Sequence, residues 1–481
     1  MILHRPFVHL LALLLAITTT SAQDNQYWTQ QNGARATLMG GAASASTDDQ
    51  AVLFYNPAAA RRVKGTGITA SANFMYMQWL KVEDTEGLGI EASEAQSNNV
   101  PKLIVGSFDP KGNERLRISF GFVNNLYGRF DVRQVAAVNV ESDAGSAGTE
   151  LITGNMHLST ETREDLVGAG ASYTLGAKSS IGLNLFASIF SQSYLQLIDL
   201  GQYSTPNNTD SVRTLAARSS TTEVEIFNLG LLPRFGYFHT GPRTQWGITV
   251  TAPRIGVGPG DGLYQQSTLQ GSTTAALRKT LLYGNDLATH YRTPWMLDLG
   301  LETRSGTTIW AFRLGCATGL KAYDRVRLDA SQDVAQGALG PAQDELRRVR
   351  SASIPVINVG VGAQFRLSDK ADLLTGFRTD MNHLDMNAVQ QFSDITANFS
   401  YWDLYHTSCG VDWHSRRAKF TAGLVWSMGR DTSEPRSFGM LGELVPALDD
   451  VRFRTAFNQL GFTFGISYFV LGDTSAKEPQ P

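Results

Sequence analysis

The sequence lacks the long apolar runs, the cysteine pairs and the basic stripes that mark several common classes of protein. After residue 22, no stretch approaches the roughly 18 consecutive apolar residues that a membrane-spanning helix needs. Only two cysteines, Cys316 and Cys409, occur in 481 residues, which argues against a framework of disulfides, and we expect both to be single small residues on separate strands. A net charge of -3 without a basic stripe argues against a nucleic-acid partner.

Signatures of catalysis and of metal binding are also missing. The eight histidines show no metal-ligand spacing, and no nucleophile elbow occurs. The glycine-rich run 256–262 imitates a phosphate-binding loop, but Pro259 within it indicates a flexible connector. We therefore expect no enzyme, no cofactor and no metal, although a lipase built on a barrel stays open in principle.

The amino terminus has the parts of a secretory signal peptide. His4 and Arg5 give a weakly basic start, Leu10–Ile17 is a short apolar run, and small residues ending at Ala22 suit a signal peptidase. The run is too short to span a bilayer as a helix. We predict a signal peptide over 1–22.

The rest of the chain is rich in amphipathic stretches in which apolar and small or polar residues alternate. Because successive side chains of a strand point to opposite faces, this alternation predicts strands with one apolar face. The clearest stretch has Leu460, Phe462, Phe464, Ile466, Tyr468 and Val470 on one face and Gly461, Thr463, Gly465 and Ser467 on the other. Strands are predicted at 66–82, 100–109, 115–131, 163–177, 179–199, 221–240, 243–254, 290–303, 306–321, 352–367, 370–385, 398–413, 416–429 and 456–470.

Short and long connections alternate between these fourteen stretches. The long ones are 83–99, 132–162, 200–220, 255–289, 322–351, 386–397 and 430–455. Tight periplasmic turns and long outer loops are the rule in outer-membrane barrels, and closure satisfies every backbone group in lipid. The predicted fold is therefore an all-β, closed antiparallel transmembrane β-barrel of about fourteen strands. A secreted, soluble all-β protein is the alternative.

The same period-two alternation assigns aromatic and charged residues to the outer or inner face of the predicted barrel. Aromatic residues near strand ends, namely Tyr76, Trp79, Tyr127, Phe130, Trp295, Tyr401 and Trp402, are candidates for interface girdles. Asp298, Arg313, Arg378 and Asp380 fall on the polar faces, and burying Arg in lipid would cost about 2–4 kcal/mol. We expect these four inside the barrel, either as structural ion pairs or as ligands of a substrate carboxylate.

The segment before the first strand has a different character. It is rich in Gly and Ala, which permits close packing in a confined space, and Asn56-Pro57 marks a turn. Leu53, Phe54 and Tyr55 would be poorly placed in water. A compact plug inside the barrel fits this composition, and a periplasmic extension is the alternative.

This segment resembles the start of FadL and TodX-type outer-membrane transport proteins. The run GARATLMGGAASASTDDQAVLFYNPAAA, at 33–60, is similar to the family pattern of a Gly/Ala-rich stretch before D-x-x-A-x-x-x-N-P-A. Two later stretches also fit, LPRFG at 232–236 followed by WGIT and AP, and TPWMLDLG at 293–300. The resemblance covers most of the chain after residue 22.

The resemblance implies a fourteen-stranded barrel plugged by an amino-terminal hatch. The implied organisation is a signal peptide at 1–22, a hatch at 23–64, a barrel at 65–470 and a polar tail at 471–481. Asn56, Pro57 and Ala58 would belong to the hatch, near the blocked channel. The implied location is the outer membrane of a Gram-negative bacterium, and the implied substrates include long-chain fatty acids and aromatic hydrocarbons.

Capture of a substrate is expected at the outer loops and release through the wall. Residues 274–283 in the 255–289 loop predict a short amphipathic helix. Candidate substrate-binding residues are Leu53, Phe54, Leu277, Leu281, Leu282, Arg278, Lys279, Arg313 and Arg378. Asn124-Asn125 and Gly128 interrupt the alternation of the third strand, which indicates either a wall irregularity suited to lateral exit or an ordinary strand end.

The predicted function is uptake of hydrophobic small molecules across the outer membrane. The alternative is an adhesin or structural barrel that acts through its long loops, and a hydrophilic porin is a third reading that would not need the hatch. Expected partners are the hydrophobic substrate, outer-membrane lipids and lipopolysaccharide, and the barrel assembly machinery. A monomer is expected.

Overall fold

The computed structural model describes residues 25–48, 50–63, 65–83, 92–141, 148–206, 213–272, 276–328, 348–390, 402–415, 417–431 and 454–470. The predicted signal peptide at 1–22 and the predicted polar tail at 471–481 lie outside these residues. Parts of the predicted outer loops do so as well.

The described residues are mostly strand. None of the helices among them is long and apolar enough to cross a bilayer. In chain order the elements are α1 (Ala34–Leu38), the 3-10 helices Gln50–Phe54 and Ala59–Arg62, β1 (Thr66–Glu83), β2 (Ala92–Phe108), β3 (Leu116–Glu141), β4 (Gly148–Thr174), β5 (Ser179–Pro206), β6 (Arg213–Thr240), β7 (Thr244–Thr251), β8 (Ile255–Gly256), β9 (Asp261–Ser272), β10 (Arg278–Gly284), β11 (Met296–Ser305), β12 (Thr308–Ala317), β13 (Leu320–Arg327), β14 (Arg348–Ser353), β15 (Val356–Ser368), β16 (Ala371–Asp380), α2 (Met386–Gln390), β17 (Leu404–His414), β18 (Ala418–Asp431) and β19 (Arg454–Val470).

Fourteen of these strands pair in a closed antiparallel ring. β1 to β7 pair in order, β7 pairs with β11, β11 with β12, β12 with β15, and β15 to β19 again pair in order. β19 then pairs with β1 from Thr66↔Val470 to Glu83↔Arg454. Closure removes the free sheet edges that would otherwise need partners. The predicted class, a closed antiparallel barrel of about fourteen strands, is confirmed.

The connections within the ring separate its two ends. Six pairs of ring strands, namely β2–β3, β4–β5, β6–β7, β11–β12, β15–β16 and β17–β18, are joined by two to seven residues. We call this the short-turn end and the opposite one the long-loop end. At the long-loop end β9 pairs with the first half of β6, β10 pairs with β9, and β13 and β14 form a separate hairpin.

The wall has apolar side chains outside and polar side chains inside. On β11, Leu299 is 39% exposed whereas Glu302 is 5% exposed. On β19, Phe462 is 39% exposed whereas Thr463 is 1% exposed. This is the reverse of the pattern in a soluble protein, and it confirms the faces assigned from the period-two alternation.

Two predictions about the connections are wrong. The connections 132–162 and 200–220 are largely strand, because β3 to β6 continue well beyond the predicted limits. The predicted helix at 274–283 is also wrong, since Arg278–Gly284 forms β10 and pairs with Gln270–Tyr264 of β9. A helix this short is marginal alone, and a neighbouring strand offers its backbone the same hydrogen bonds.

The prediction of an aromatic girdle is wrong for three of its residues, which are buried. Trp79 and Trp295 are exposed, as a girdle requires. Tyr127, Phe130 and Trp402 are instead buried, each 3% exposed or less. Position near a strand end does not fix the face on which a ring lies. The side chain of Tyr76 and all of Tyr401 lie outside the described part of the chain. Cys316 on β12 and Cys409 on β17 are both free thiols.

Closure of the ring can be tested by cross-linking its first and last strands. Thr69 and Ser467 are direct register partners whose hydroxyl oxygens lie 2.9 Å apart. With Cys316 and Cys409 replaced by serine, Thr69→Cys with Ser467→Cys should form a disulfide, visible as a mobility shift on a non-reducing gel. Thr69→Cys with Thr463→Cys is the matched control, since a register offset of four residues separates the two thiols by about 13 Å. Equal cross-linking of both pairs would rule out this register.

Candidate functional site

Residues 25–63, here called the leading segment, pack against the inner face of the ring. Nearly all of their side chains are buried. Hydrogen bonds join the segment to β5, β15 and β17: Ser180 Oγ donates to the Ala58 carbonyl at 2.8 Å, Asn184 Nδ2 to the Leu53 carbonyl at 2.7 Å, Arg35 to Gln364 Oε1 at 2.7 Å and Ser408 Oγ to the Leu38 carbonyl at 2.9 Å. Because β5 and β17 lie on opposite sides of the ring, the segment extends across the lumen.

Glycines on the inner face of the wall make this packing possible. A Cβ atom added at any of them would lie 2.7 Å or less from an atom of the leading segment, a distance at which something must shift. These glycines are Gly182, Gly236, Gly247, Gly300, Gly315, Gly360, Gly362, Gly376, Gly410, Gly423 and Gly465. The wall therefore accommodates the backbone of the segment at positions where any other residue would push it away.

Asn56 ties the segment to itself and to the wall. The side chain is fully buried. Its Nδ2 atom donates to the carbonyls of Ser44 at 3.1 Å and Tyr237 at 3.0 Å, and its Oδ1 atom accepts from the amide of Ala58 at 3.0 Å. Both N–H donors and one acceptor position of the side-chain amide are used, which explains why an asparagine precedes Pro57 here.

Two charged residues of β16 hold the start of the segment. Asp380 accepts hydrogen bonds from the Trp28 amide at 3.0 Å and from the Thr29 hydroxyl at 2.6 Å. Arg378 donates to the carbonyls of the same two residues at 3.2 and 3.1 Å. The predicted inward placement of Arg378 and Asp380 is confirmed, and both charges contact the leading segment.

Arg313 of β12 makes a second attachment. It forms an ion pair with Asp298 of β11 at 2.6 Å, which confirms the inward placement predicted for both. Its guanidinium carbon lies 3.9 Å from the centre of the Trp28 ring and 5.2 Å from that of Tyr55. Stacking on two aromatic faces attracts the cation, so Arg313 links the wall to the segment.

A cavity of about 110 Å³ lies on the side of the segment that faces the long-loop end. Its lining includes Trp28, Phe54 and Tyr55 from the segment, Asn125 and Leu126 from β3, Arg234 from β6 and Arg313 from β12. His383 and Tyr27, also in the lining, stack with ring centres 4.0 Å apart. Burial, reinforced by the Arg325 guanidinium, lowers the pKa of His383 to about 3, and burial raises the pKa of Tyr27. Both rings are therefore uncharged at neutral pH.

An upper apolar cluster lies between this cavity and the long-loop end. It consists of Leu80, Phe130, Val132, Leu158, Phe190, Tyr194, Val224, Ile226, Tyr264, Leu282, Leu287, Val326, Leu328, Val349, Trp402, Leu404 and Phe457. Leu126 and Tyr291 pack against the cluster and also line the cavity. Tyr291 stacks on Phe190 at 3.7 Å. Leu126 and Tyr291 therefore connect the cluster to the cavity, whose lining also holds charged side chains such as Glu164 and Arg234.

Within the described chain, the ring has its fewest backbone pairings where β2 meets β3. Among the described residues, backbone pairing joins only Leu103–Phe108 to Ile118–Val123. Farther toward the long-loop end, β2 pairs with β1 and β3 pairs with β4. The β3–β4 register shifts between Asn124 and Leu126, so Asn125 forms a bulge. The irregularity predicted at Asn124-Asn125 is confirmed, and Asn125 and Leu126 there line the cavity.

A lower apolar cluster lies beside this break. It consists of Ala51, Leu53, Phe54, Leu103, Val105, Val123, Leu166, Phe186 and Leu232. Leu103 and Val123 are the last residues at which β2 and β3 pair with each other. The rings of Phe54 and Phe186 stack with their centres 5.3 Å apart. The leading segment thus supplies apolar side chains next to the point where the wall loses its pairing.

The structure brings together some of the predicted binding residues and separates others. Phe54 and Arg313 line the cavity, Leu53 lies in the lower cluster and Leu282 in the upper one. Leu277 is 71% exposed, Lys279 is exposed and Leu281 is half-buried. The three leucines do not form one face, because β10 is a strand. The side chain of Arg278 lies outside what the structure describes. Substrate contact by any of them stays a prediction.

Several residues of the cavity were missed by sequence reasoning. Arg234 donates to the Phe54 carbonyl, and Glu164 accepts from Asn125 and from Ser188, both at 2.6 Å. Glu164 occupies an inward position of a predicted strand, so the argument applied to Asp298 could have found it. Tyr291 lies within the predicted strand 290–303 but before β11, which begins at Met296, and no sequence signal marks it as a cavity residue.

The architecture is similar to that of solved transport proteins over nearly the whole chain. The toluene transporter TodX of Pseudomonas putida has a TM-score of 0.53 at 13% identity, with 94% of this chain and 100% of that chain covered. The toluene transporter TbuX of Ralstonia pickettii gives 0.52 at 13%, with 92% and 100% covered. A FadL homologue of Pseudomonas aeruginosa gives 0.50 at 10%, with 92% and 99% covered. This chain has the FadL/TodX-type fold.

The resemblance predicted from the sequence is thus confirmed for the fold. No protein-family model and no curated protein sequence matches the chain. Sequence divergence is therefore large within the FadL/TodX-type fold, while the ring of fourteen strands persists.

Filling one wall glycine tests the packing of the leading segment. A Cβ atom at Gly247 would lie 2.4 Å from both Asn56 Nδ2 and the Ser44 carbonyl oxygen. Overpacking costs about 1–3 kcal/mol, so Gly247→Val should speed amide exchange in residues 44–58 by about 5- to 150-fold. Hydrogen exchange with mass spectrometry measures this. Gly256→Val is the control, since nothing lies within 4 Å of its added Cβ. Unchanged exchange in the Gly247 variant would contradict the contact.

Proposed function

We propose that this chain is an outer-membrane channel for the uptake of hydrophobic small molecules. The observation that carries the proposal is the cavity that joins the upper apolar cluster to the bulge at Asn125. A hydrophobic molecule that displaced side chains of the upper apolar cluster would enter this cavity and reach the break in the wall at Asn125. The named activities of TodX and TbuX, toluene transport, support the same class of substrate.

Location in the outer membrane is supported by the polarity of the wall. Large apolar side chains such as Leu299, Trp310, Phe420 and Phe462 are exposed all round the ring. Covering this belt with hydrocarbon removes it from water, whereas leaving it exposed would drive aggregation. We propose a monomer inserted by the barrel assembly machinery, with outer-membrane lipids and lipopolysaccharide around it.

Capture is proposed at the upper apolar cluster. Burial of each CH₂ group contributes roughly 0.8 kcal/mol, so a chain of about a dozen carbons gains on the order of 10 kcal/mol before the costs of binding. Such a site binds tightly and releases slowly. The cluster offers apolar contacts to a neutral hydrocarbon and to the tail of a fatty acid alike.

Release is proposed to depend on the leading segment, which we assign as a hatch over 23–64 within a barrel at 65–470. The segment crosses the lumen and its Leu53 and Phe54 side chains pack at the break between β2 and β3. A shift of this region would open the cavity toward the break. The molecule would then leave sideways into the membrane rather than into the water below the segment.

Removal of the bulge tests lateral release. Deletion of Asn125 should restore regular pairing between β3 and β4 and straighten β3 toward β2. We expect uptake of a radiolabelled hydrophobic compound by cells to fall by about tenfold or more, since the exit narrows. Asn125→Gly, which keeps the extra residue, is the matched control and should retain uptake. Full uptake by a correctly assembled deletion variant would contradict lateral release. If the protein is an adhesin, uptake should be the same with and without Asn125.

A reversible tether tests movement of the hatch. A Cβ atom at Gly465 would lie 2.7 Å from that of Ala34, so a small shift permits a disulfide between Ala34→Cys and Gly465→Cys. With Cys316 and Cys409 replaced by serine, uptake should fall when the disulfide forms. Reduction with dithiothreitol should restore it. Uptake that continues with the tether closed would show that α1 need not move.

A further inference from the structure

Each short turn of the barrel, or the strand end beside it, carries an exposed basic side chain. These six residues, here called the basic ring, are Lys111, Lys178, Arg243, Arg304, Lys370 and Arg417. Exposed Arg115 adds a seventh cation in the first turn. The exposed carboxylates of the same turns are only three, Asp109, Glu114 and Asp369. The described part of the short-turn end is therefore positively charged, although the whole chain has a net charge of -3.

Each member of the basic ring lies at the same sequence distance from the belt of exposed apolar side chains on the outside of the wall. It stands three positions from a large exposed apolar residue, in the pairs Phe108 and Lys111, Leu175 and Lys178, Trp246 and Arg243, Leu301 and Arg304, Leu367 and Lys370, and Phe420 and Arg417. Three residues of extended chain span about 10 Å at most. The stem of a lysine or arginine can follow the apolar surface over that distance and hold its charge at the edge.

The basic ring is only partly neutralised by its own protein, since Arg304, alone of its six described members, interacts electrostatically with the half-buried Asp48 and the buried Glu302. Within the described residues, none of its six members forms an ion pair. Two exposed arginines nearer the long-loop end do form ion pairs. Arg163 contacts Asp165 at 2.6 Å and Arg133 contacts Asp131 at 3.5 Å. Positive charge at the short turns is thus available to an external anion.

We infer that the basic ring binds the phosphate groups of anionic phospholipids in the leaflet at the short-turn end. The inference rests on the membrane location given under the proposed function. A lipid whose tails cover Leu175, Leu367 or Phe420 has its phosphate at the height of the turns. The charges follow the perimeter next to the belt, which suits many single lipids better than one acidic protein. Juxtaposed basic residues favour anionic over zwitterionic headgroups.

Lipid selectivity in a bilayer tests this inference without any transported substrate. The full-length mature protein is reconstituted in phosphatidylcholine with a trace of spin-labelled phosphatidylglycerol or spin-labelled phosphatidylcholine, and the motionally restricted fraction of each label is measured. The wild-type protein should prefer phosphatidylglycerol by about two- to fourfold at low salt, and the preference should fall at high salt.

Two variants with equal changes in charge make the test specific. The ring variant combines Lys111→Gln, Lys178→Gln, Arg243→Gln, Arg304→Gln, Lys370→Gln and Arg417→Gln, and its preference should fall to about one. The control variant combines Arg133→Gln, Arg163→Gln, Lys279→Gln, Lys321→Gln, Arg327→Gln and Arg430→Gln, which are exposed and nearer the long-loop end, and it should keep the preference. Heat-modifiable gel mobility verifies that each variant is folded.

Three results would overturn the inference: equal association of both lipids with the wild-type protein, a preference that survives in the folded ring variant, or an equal loss in the control variant. The first is also the outcome expected if an acidic soluble protein is the true partner. Failure of the proposed transport is a separate result, because a protein that selects anionic lipid and takes up nothing would leave this inference intact.

Discussion

The architecture depends on one requirement, that each backbone amide and carbonyl of the wall finds a partner within the chain. Fourteen antiparallel pairings meet it, and the pairing of β1 with β19 closes the ring. A surface of exposed Leu, Phe and Trp side chains is compatible with hydrocarbon only under that condition. Among the described residues, β2 and β3 stop pairing with each other at Leu103 and Val123 while both continue with their other neighbours, and this break is the place to which we assign lateral release.

A closed ring leaves a lumen, and the leading segment occupies it by two kinds of contact. Wall glycines such as Gly236 and Gly247 bring backbone against backbone near Asn56. Charged side chains such as Arg378 and Asp380 complete the hydrogen bonds of the segment where the wall is polar. The segment is held by many small contacts, not by one large apolar core. The proposed movement of the segment requires only some of these contacts to change.

The fold was accessible from the sequence because its signal is local. Period-two alternation located all fourteen ring strands, and the alternation of short and long connections indicated a barrel. Inward charges such as Asp298 and Arg313 followed from the same alternation. The interruption at Asn124-Asn125 was visible for the same reason, since a bulge breaks the pattern where it occurs.

Other features depend on contacts between distant residues, which no local pattern records. Leu277, Leu281 and Leu282 have the spacing of a helix face, but β9 offers the backbone a neighbouring strand and the segment is extended. Phe130 and Trp402 read as girdle residues, although they meet inside the lumen with ring centres 5.9 Å apart. The cavity itself joins residues from the leading segment, β3, β6 and β12, so its existence could be predicted only through the resemblance to a known family.

The central claim is that a hydrophobic molecule occupies the lumen between the upper apolar cluster and the break in the wall. A crystal structure of the protein soaked with a brominated alkane or a brominated aromatic compound tests it most directly, because bromine gives an anomalous signal. We expect an anomalous peak from bromine in the cavity near Leu126 and Tyr291. Peaks confined to the outer apolar belt, with none inside the ring, would contradict it.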